Sequence, residues 1–274
     1  MDNPILHIAM KGQRALEEGR LVAALAAADQ LVSENPHQSR FRWFRANVFY
    51  ELSELADAAS EAHKVVSLEP DFYPAHFMLA VCADQLNRRA EAQEHFEIAL
   101  DLSNGNHDVL EEYALFMAAQ RPAVDGERVA RSAVEQLPDS PSAWTSLGIA
   151  QMRLNEMNSA EAALQRALEI DPTHGPAKFV LGSLYVQTGR RKTAQALSEL
   201  IDDDVLKKEL REELARSRPR IHHPLNEEDA RHAMNPTINP ARTEHARPWA
   251  NPLLWAIVLV VLAALLRIVQ MAWP

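Results

Sequence analysis

Apolar residues recur along most of this chain at helical spacing, and the helices they imply come in pairs. In SAWTSLGIAQMRLNEMNSAEAALQRALEIDP, residues 142–172, Trp144, Leu147, Gly148 and Gln151 share one stripe, and Ala160, Leu164, Ala167 and Leu168 share another. Two helices are expected, 142–156 and 159–169, and Pro172 ends the pair because it lacks an N–H and disfavours helix in the residue before it. Gly148 and Ala160 fall where a larger side chain would hold the two backbones apart.

The prolines that end such pairs keep a regular interval. Pro36, Pro70, Pro138 and Pro172 are separated by 34, 68 and 34 residues, and the missing beat falls at Asn104, in ALDLSNGN, where turn residues remain. A fixed period of this size marks a repeat array, in which each unit leaves an apolar face for its neighbour to cover. Strict register gives six units: 5–38, 39–72, 73–106, 107–140, 141–174 and 175–208. Beyond them Leu206, Leu210 and Leu214 place an apolar stripe on a helix over 205–217, with charged residues around the rest of it. That helix is expected to cap the array and complete a body of residues 1–217.

The pattern resembles the tetratricopeptide repeat (TPR). In the fifth unit Trp144, Leu147, Gly148, Ala160 and Pro172 fill the motif's places, with Gln151 in place of its tyrosine and Leu164 in place of its phenylalanine. The first unit keeps Gly12, Gly19, Ala24 and Pro36, and the second has Ala46, Phe49, Ala58 and Pro70. The third has Leu79, Ala80, Ala92, Phe96 and Ala99. The fourth has Tyr113, Ala114, Ala133 and Pro138, but Gly126 where alanine is usual. The sixth opens with Leu181, Gly182, Tyr185 and Gly189, then loses the pattern after Ala194.

The resemblance implies an all-α fold, a TPR alpha-solenoid in which helix pairs wind into a right-handed superhelix. Its inner helices would line a concave groove for a peptide or partner helix. The family's groove places fall on Arg40, Trp43, Asn47 and Tyr50 in the second unit and on Phe77, Val81, Asp84 and Gln85 in the third. They fall on Thr145, Ile149, Met152 and Arg153 in the fifth unit and on Phe179, Ser183 and Val186 in the sixth. The expected occupant is a protein segment with apolar or aromatic anchors, centred on Trp43 and Phe77, since buried aromatics dominate interface energy. The alternative is that these two rings pack between neighbouring units. Chaperone-binding relatives carry a lysine and asparagine clamp for a terminal carboxylate. Here Trp43 takes the lysine place, Asn47 survives, and Asp108 and Glu112 stand where later basic residues would be, so a carboxylate would be repelled.

The chain changes character after residue 217. Residues 218–250 carry five prolines, scattered arginine and histidine and no apolar periodicity, which reads as a disordered linker. His222, His223, His232 and His245 fall there at irregular spacing, which suits a solvated linker better than a metal site. Residues 251–274 then read as one C-terminal transmembrane helix: Leu253 to Trp273 is 21 residues, about 31 Å as a helix. Arg267 lies close enough to the far end to snorkel, and Trp249, Trp255 and Trp273 suit the two interfaces. The first residues, MDNPILHIAMKGQ, do not read as a signal peptide, so the expectation is a single-pass, tail-anchored protein with its repeats in the cytoplasm. A bacterial inner membrane is favoured by the Ala- and Arg-rich composition, and an organelle outer membrane satisfies the same physics.

Composition narrows the function. The formal charge is −10 and the acids concentrate in the repeats, which argues against nucleic acid as their partner. The one cysteine, Cys82, excludes an internal disulfide and reads as a small buried residue. No phosphate-binding glycine loop, nucleophile elbow or H-E-x-x-H is present, and His63, His76 and His95 stand apart in sequence with no acid at suggestive spacing. Neither an enzyme nor a cofactor or metal requirement is expected. The run Asp202, Asp203, Asp204 reads as a solvated helix end and turn. The function expected is a membrane-anchored scaffold or adaptor for a protein partner. The alternatives are an assembly factor or sensor acting through its membrane helix, with Arg267 and Gln270 as polar handles, or a self-assembling array.

Overall fold

The computed structural model describes residues 4–120 and 122–217. The expected linker 218–250 and the expected membrane helix 251–274, with Arg267 and Gln270, lie outside the described residues. Thirteen helices and no strand occur among the described residues. They are α1 (Pro4–Glu17), α2 (Leu21–Glu34), α3 (Ser39–Glu51), α4 (Leu55–Leu68), α5 (Tyr73–Gln85), α6 (Arg89–Leu102) and α7 (His107–Ala118). They continue with α8 (Ala123–Gln136), α9 (Pro141–Arg153), α10 (Met157–Ile170), α11 (Gly175–Gln187), α12 (Arg191–Glu199) and α13 (Asp204–Arg216). Each odd-numbered helix up to α11 packs against the even-numbered helix after it, and each even-numbered helix packs against the next odd one. None of the described helices is long and apolar enough to cross a membrane.

The turn inside five of the six pairs repeats with the same period as the sequence. Gly19, Ser53, Asn87, Asn155 and Gly189 all have left-handed backbones, with φ of 69°, 61°, 59°, 64° and 78°. The next residue then donates its N–H back to the preceding helix, as Arg20 does to the Ala15 carbonyl at 2.8 Å, Arg88 to Ala83 at 2.7 Å and Glu156 to Gln151 at 2.9 Å. Helix-end carbonyls are thereby satisfied. Between pairs, proline follows the cap residue in four units. At the missing beat, Asn104 and Gly105 reverse the chain with φ of 53° and 75°. The Asn106 side chain then accepts the Asp108 and Val109 N–H groups at 3.0 and 3.3 Å and starts α7.

Within a pair, small residues set the distance. The eighth place of the units holds Gly12, Ala46, Ala80, Ala114, Gly148 and Gly182, and the twentieth holds Ala24, Ala58, Ala92, Gly126, Ala160 and Ala194. Every alanine among them is 0% exposed. A Cβ on Gly148 would come within 2.7 Å of Leu164 Cγ. One on Gly126 would fall on the Met117 carbonyl oxygen and within 3.0 Å of Ala118 Cα. The fourth unit departs from the usual alanine because α7 and α8 approach too closely for one.

The sixth unit loses the pattern because α12 is only nine residues long, against fourteen for the other second helices. Lys178 Nζ donates to the carbonyl of Leu200 just past its end at 2.6 Å, and Ile201 is buried there. Asp203 from the acidic run accepts the Val205 and Leu206 N–H groups at 2.8 and 3.0 Å and starts α13. Leu206, Leu210 and Leu214 are all buried, and Leu210 covers Gly182 on α11.

The two glycines predict different costs. Gly148→Ala meets a leucine that can change rotamer, whereas Gly126→Ala meets backbone, so both destabilise, by about 1–3 kcal/mol for such overpacking, and Gly126→Ala costs more. Urea unfolding of each variant measures this; an unchanged midpoint for Gly126→Ala contradicts the contact.

Candidate partner-binding surface

The expected groove residues do not share one environment. Arg40 is exposed, with its guanidinium 4.8 Å from the Phe41 ring centroid. Asp84, Gln85 and Arg153 are half-buried. Trp43 is only 7% exposed and sits edge-on to Phe72 at 5.3 Å, and Phe77 is 2% exposed at 5.9 Å from Phe96. Neither ring stands open as an anchor, because each meets another ring of its own unit: Phe72 closes the second unit over Trp43, and Phe96 of α6 packs on Phe77 of α5. Asn47 is buried too and donates to the Trp43 carbonyl at 3.0 Å. Val81 lies in the same core cluster as Trp43, Tyr50 and Phe77.

Further along, Thr145, Ile149 and Met152 are buried, and Thr145 Oγ1 donates to the Pro141 carbonyl at 2.7 Å. Phe179, Ser183 and Val186 are buried as well. Ser183 Oγ donates to Glu213 of α13 at 2.6 Å, so the capping helix covers this part of α11.

What the structure brings together on the first helices of the second, third and fourth units is polar. Gln85 Nε2 donates to the Tyr50 hydroxyl at 2.8 Å. Beside them lie Glu51 at the end of α3, Asp84 on α5, and Asp108, Glu111 and Glu112 on α7. Burial pushes the Asp84 carboxyl up to about 6, and the Arg89 charge opposes that only in part. Burial, and then the charges of Glu111, Asp84 and Asp108, push Glu112 up to about 8. Burial also raises Glu51. Glu112 is 5% exposed, and its Oε2 has no hydrogen-bond partner. From the sequence, Asp108 and Glu112 were set against a carboxylate ligand and Asp84 among the groove places, but they were treated one at a time, although Asp84 and Glu112 sit at adjacent units' inner-helix places.

A cleft of about 520 Å³ opens at the N-terminal end, lined by Ile5, Leu6, Ala9, Met10, Arg40 and Phe41 with Gln13, Arg14 and Glu17 at its polar part. Leu6 and Met10 are 56% and 64% exposed. Carrying the groove register back to the first unit would have found it, since Leu6, Ala9, Gln13 and Glu17 occupy that unit's second, fifth, ninth and thirteenth places. Cys82 is fully buried and its thiol is pushed up to about 12 by burial, which leaves it without thiolate character.

Sequence profiles described as tetratricopeptide repeat match residues 9–65, 73–106 and 141–174. These are tetratricopeptide repeats. The matched segments fall in the first, second, third and fifth units of the 34-residue register. Among solved structures, a tetratricopeptide repeat protein from Parabacteroides merdae is similar at 12% identity and a TM-score of 0.67, over 94% of this chain and 98% of that one. PilW, described as a widely conserved type IV pilus biogenesis factor, is similar at 14% identity and 0.63, over 76% and 99%. MamA is similar at 15% and 0.56, over 62% and 92%. At these identities the likeness concerns the fold. No curated protein sequence matches the chain.

In a tetratricopeptide array, two variants separate core from surface. Trp43→Ala and Phe77→Ala each lower stability by about 3–5 kcal/mol, the range for aromatic truncation in a core. Calorimetry that finds either variant melting with the parent places that ring at the surface. A third variant tests the buried acid. Folded Glu112 keeps its proton up to about pH 8, whereas in the unfolded chain it ionises near 4.5, so this group's stabilising contribution is complete below 4.5 and is lost as pH rises through 8. Stability should fall over that window by up to about 1.4 kcal/mol per pH unit. Glu112→Gln flattens that slope and melts several degrees above the parent at pH 8; an unchanged slope removes Glu112 as its source.

Proposed function

We propose that this protein is a membrane-anchored tetratricopeptide repeat scaffold that captures a protein partner through a segment carrying a basic side chain beside apolar ones. The observation that carries the reading is the carboxyl group of Glu112, buried with an unsatisfied oxygen beside half-buried Asp84. A buried acid without a partner costs stability, and a lysine or arginine from outside would offset that cost by restoring its charge and supplying donors. The half-buried acids Glu51, Asp84, Asp108 and Glu111 give the approaching cation its entrance. The cleft at Leu6, Met10 and Phe41 offers the apolar contact that Trp43 and Phe77 do not.

The anchor is residues 253–273, a reading that rests on the sequence, with the repeats on the cytoplasmic side and the role one of recruitment or assembly rather than catalysis. The overall acidity of the chain is in keeping with a protein partner and not with nucleic acid.

Crosslinking the full chain in its native membrane and sequencing what it holds tests both parts. The captured peptide is expected to carry lysine or arginine next to apolar residues. Asp84→Lys should abolish capture while leaving the melting temperature within a few degrees of the parent. Exchange of 253–273 for an unrelated anchor should preserve capture, and deletion of that segment should release the protein from carbonate-washed membranes. Capture that survives Asp84→Lys, or that is lost with the anchor exchange, overturns the groove reading.

A further inference from the structure

His63, His76 and His95, which stand apart in sequence, meet where the second and third units pack. His63 lies on α4, His76 on α5, and Glu91 and His95 one helical turn apart on α6. His63 Nε2 is 3.8 Å from Glu91 Oε1, and the His63 and His95 rings are 5.8 Å apart. One ligand atom from each of His63, Glu91 and His95 lies within 4.8 Å of the others. We propose that His63, Glu91 and His95 form a binding site for a divalent transition metal of the zinc type, joining the second helices of two adjacent repeats.

Two imidazoles and a carboxylate are the donor set that zinc takes with one position left for water, and contraction to metal–ligand distances of about 2.0–2.2 Å needs only side-chain rotation. His63 has room to rotate, its side chain being 54% exposed. His76 acts as the positioning residue. Its Nε2 lies 3.0 Å from the Pro70 carbonyl, which can only accept, so Nε2 carries the proton. Its Nδ1, 3.2 Å from His95 Nδ1, is then an acceptor, and His95 must donate from Nδ1. That leaves the lone pair of His95 on Nε2, with the ring turned and its tautomer fixed as in many metal-bound histidines. The site does not draw on the acidic face of α5 and α7, and the partner reading stands or falls without it.

The sequence held one overlooked signal. Glu91 and His95 are four residues apart on one helix, and one repeat period beyond His63 lies Glu97, within a turn of His95.

The test uses the full chain in detergent, with His222, His223, His232 and His245 changed to glutamine so that the linker contributes no ligands. Zn²⁺ titration against a chromophoric competitor should give one equivalent bound, and saturating Zn²⁺ should raise the melting temperature by several degrees. His63→Gln and His95→Gln should each weaken binding at least tenfold and abolish the thermal shift. Co²⁺ should give a visible absorption band of low-symmetry, four- or five-coordinate metal, and His76→Gln should move that band and weaken binding while His63, Glu91 and His95 remain. Binding that disappears with the linker histidines, or that is unaffected by His63→Gln and His95→Gln, overturns the site. Unaltered Co²⁺ absorption in His76→Gln overturns the positioning role.

Discussion

The array depends on how closely two helix backbones can approach at the eighth and twentieth places of each unit. With alanine or glycine at both, the second helix sits down on the first, and larger residues nearby, such as Leu164 over Gly148, close the crossing. Leu31, Val65 and Ile201, one period or a multiple apart, are accordingly buried at 0%, 0% and 1% exposure. Because each unit meets only its neighbours, an error at one crossing is not averaged over a single core; it changes the angle at which everything beyond it is presented. The fourth unit shows the constraint at its tightest, where even a methyl group on Gly126 would meet the Met117 carbonyl.

That constraint is also why so much of the fold was legible. Period, helix pairing and turn positions are written in small residues, prolines and left-handed turn residues, each of which has a local backbone reason to be where it is. Even the lost proline at Asn104 left its trace, since a left-handed Asn-Gly pair does the same work of reversing the chain. Side-chain surroundings were less legible. Register alone put Trp43 and Phe77 on the inner face, but whether an inner-face ring is open depends on what the connection or the second helix of its own unit sends to meet it. Phe72, on the connection between α4 and α5, meets Trp43, and Phe96 on α6 meets Phe77. The histidines were hidden for a different reason, because their meeting point lies between two units and has no signature inside either.

A buried ion pair elsewhere marks the contrast that gives the acid face its meaning. Glu61 on α4 is 4% exposed, yet Arg42 and Arg45 reach it from α3 at 3.1 and 2.9 Å and Lys64 at 2.7 Å. Although burial alone would raise its pKa, hydrogen bonds from Lys64 and Arg45 hold it below the ordinary carboxylate value. Here the chain has buried a carboxylate and satisfied it from within.

Glu112 is buried to the same degree, but its neighbours are other acids and its pKa moves the opposite way. A fold stabilised at Glu61 by three cations has the means to provide one at Glu112 and does not. Leaving an acid desolvated and short of a donor costs stability in the free protein, and a cation arriving from outside, as proposed above, would recover that cost. Binding then changes protonation as well as contact: an acid that holds its proton when the face is empty gives it up when a cation sits beside it. On the reading proposed above, arrival of a basic partner would therefore be coupled to proton release near neutral pH, a signature that a groove lined only by apolar anchors would not carry.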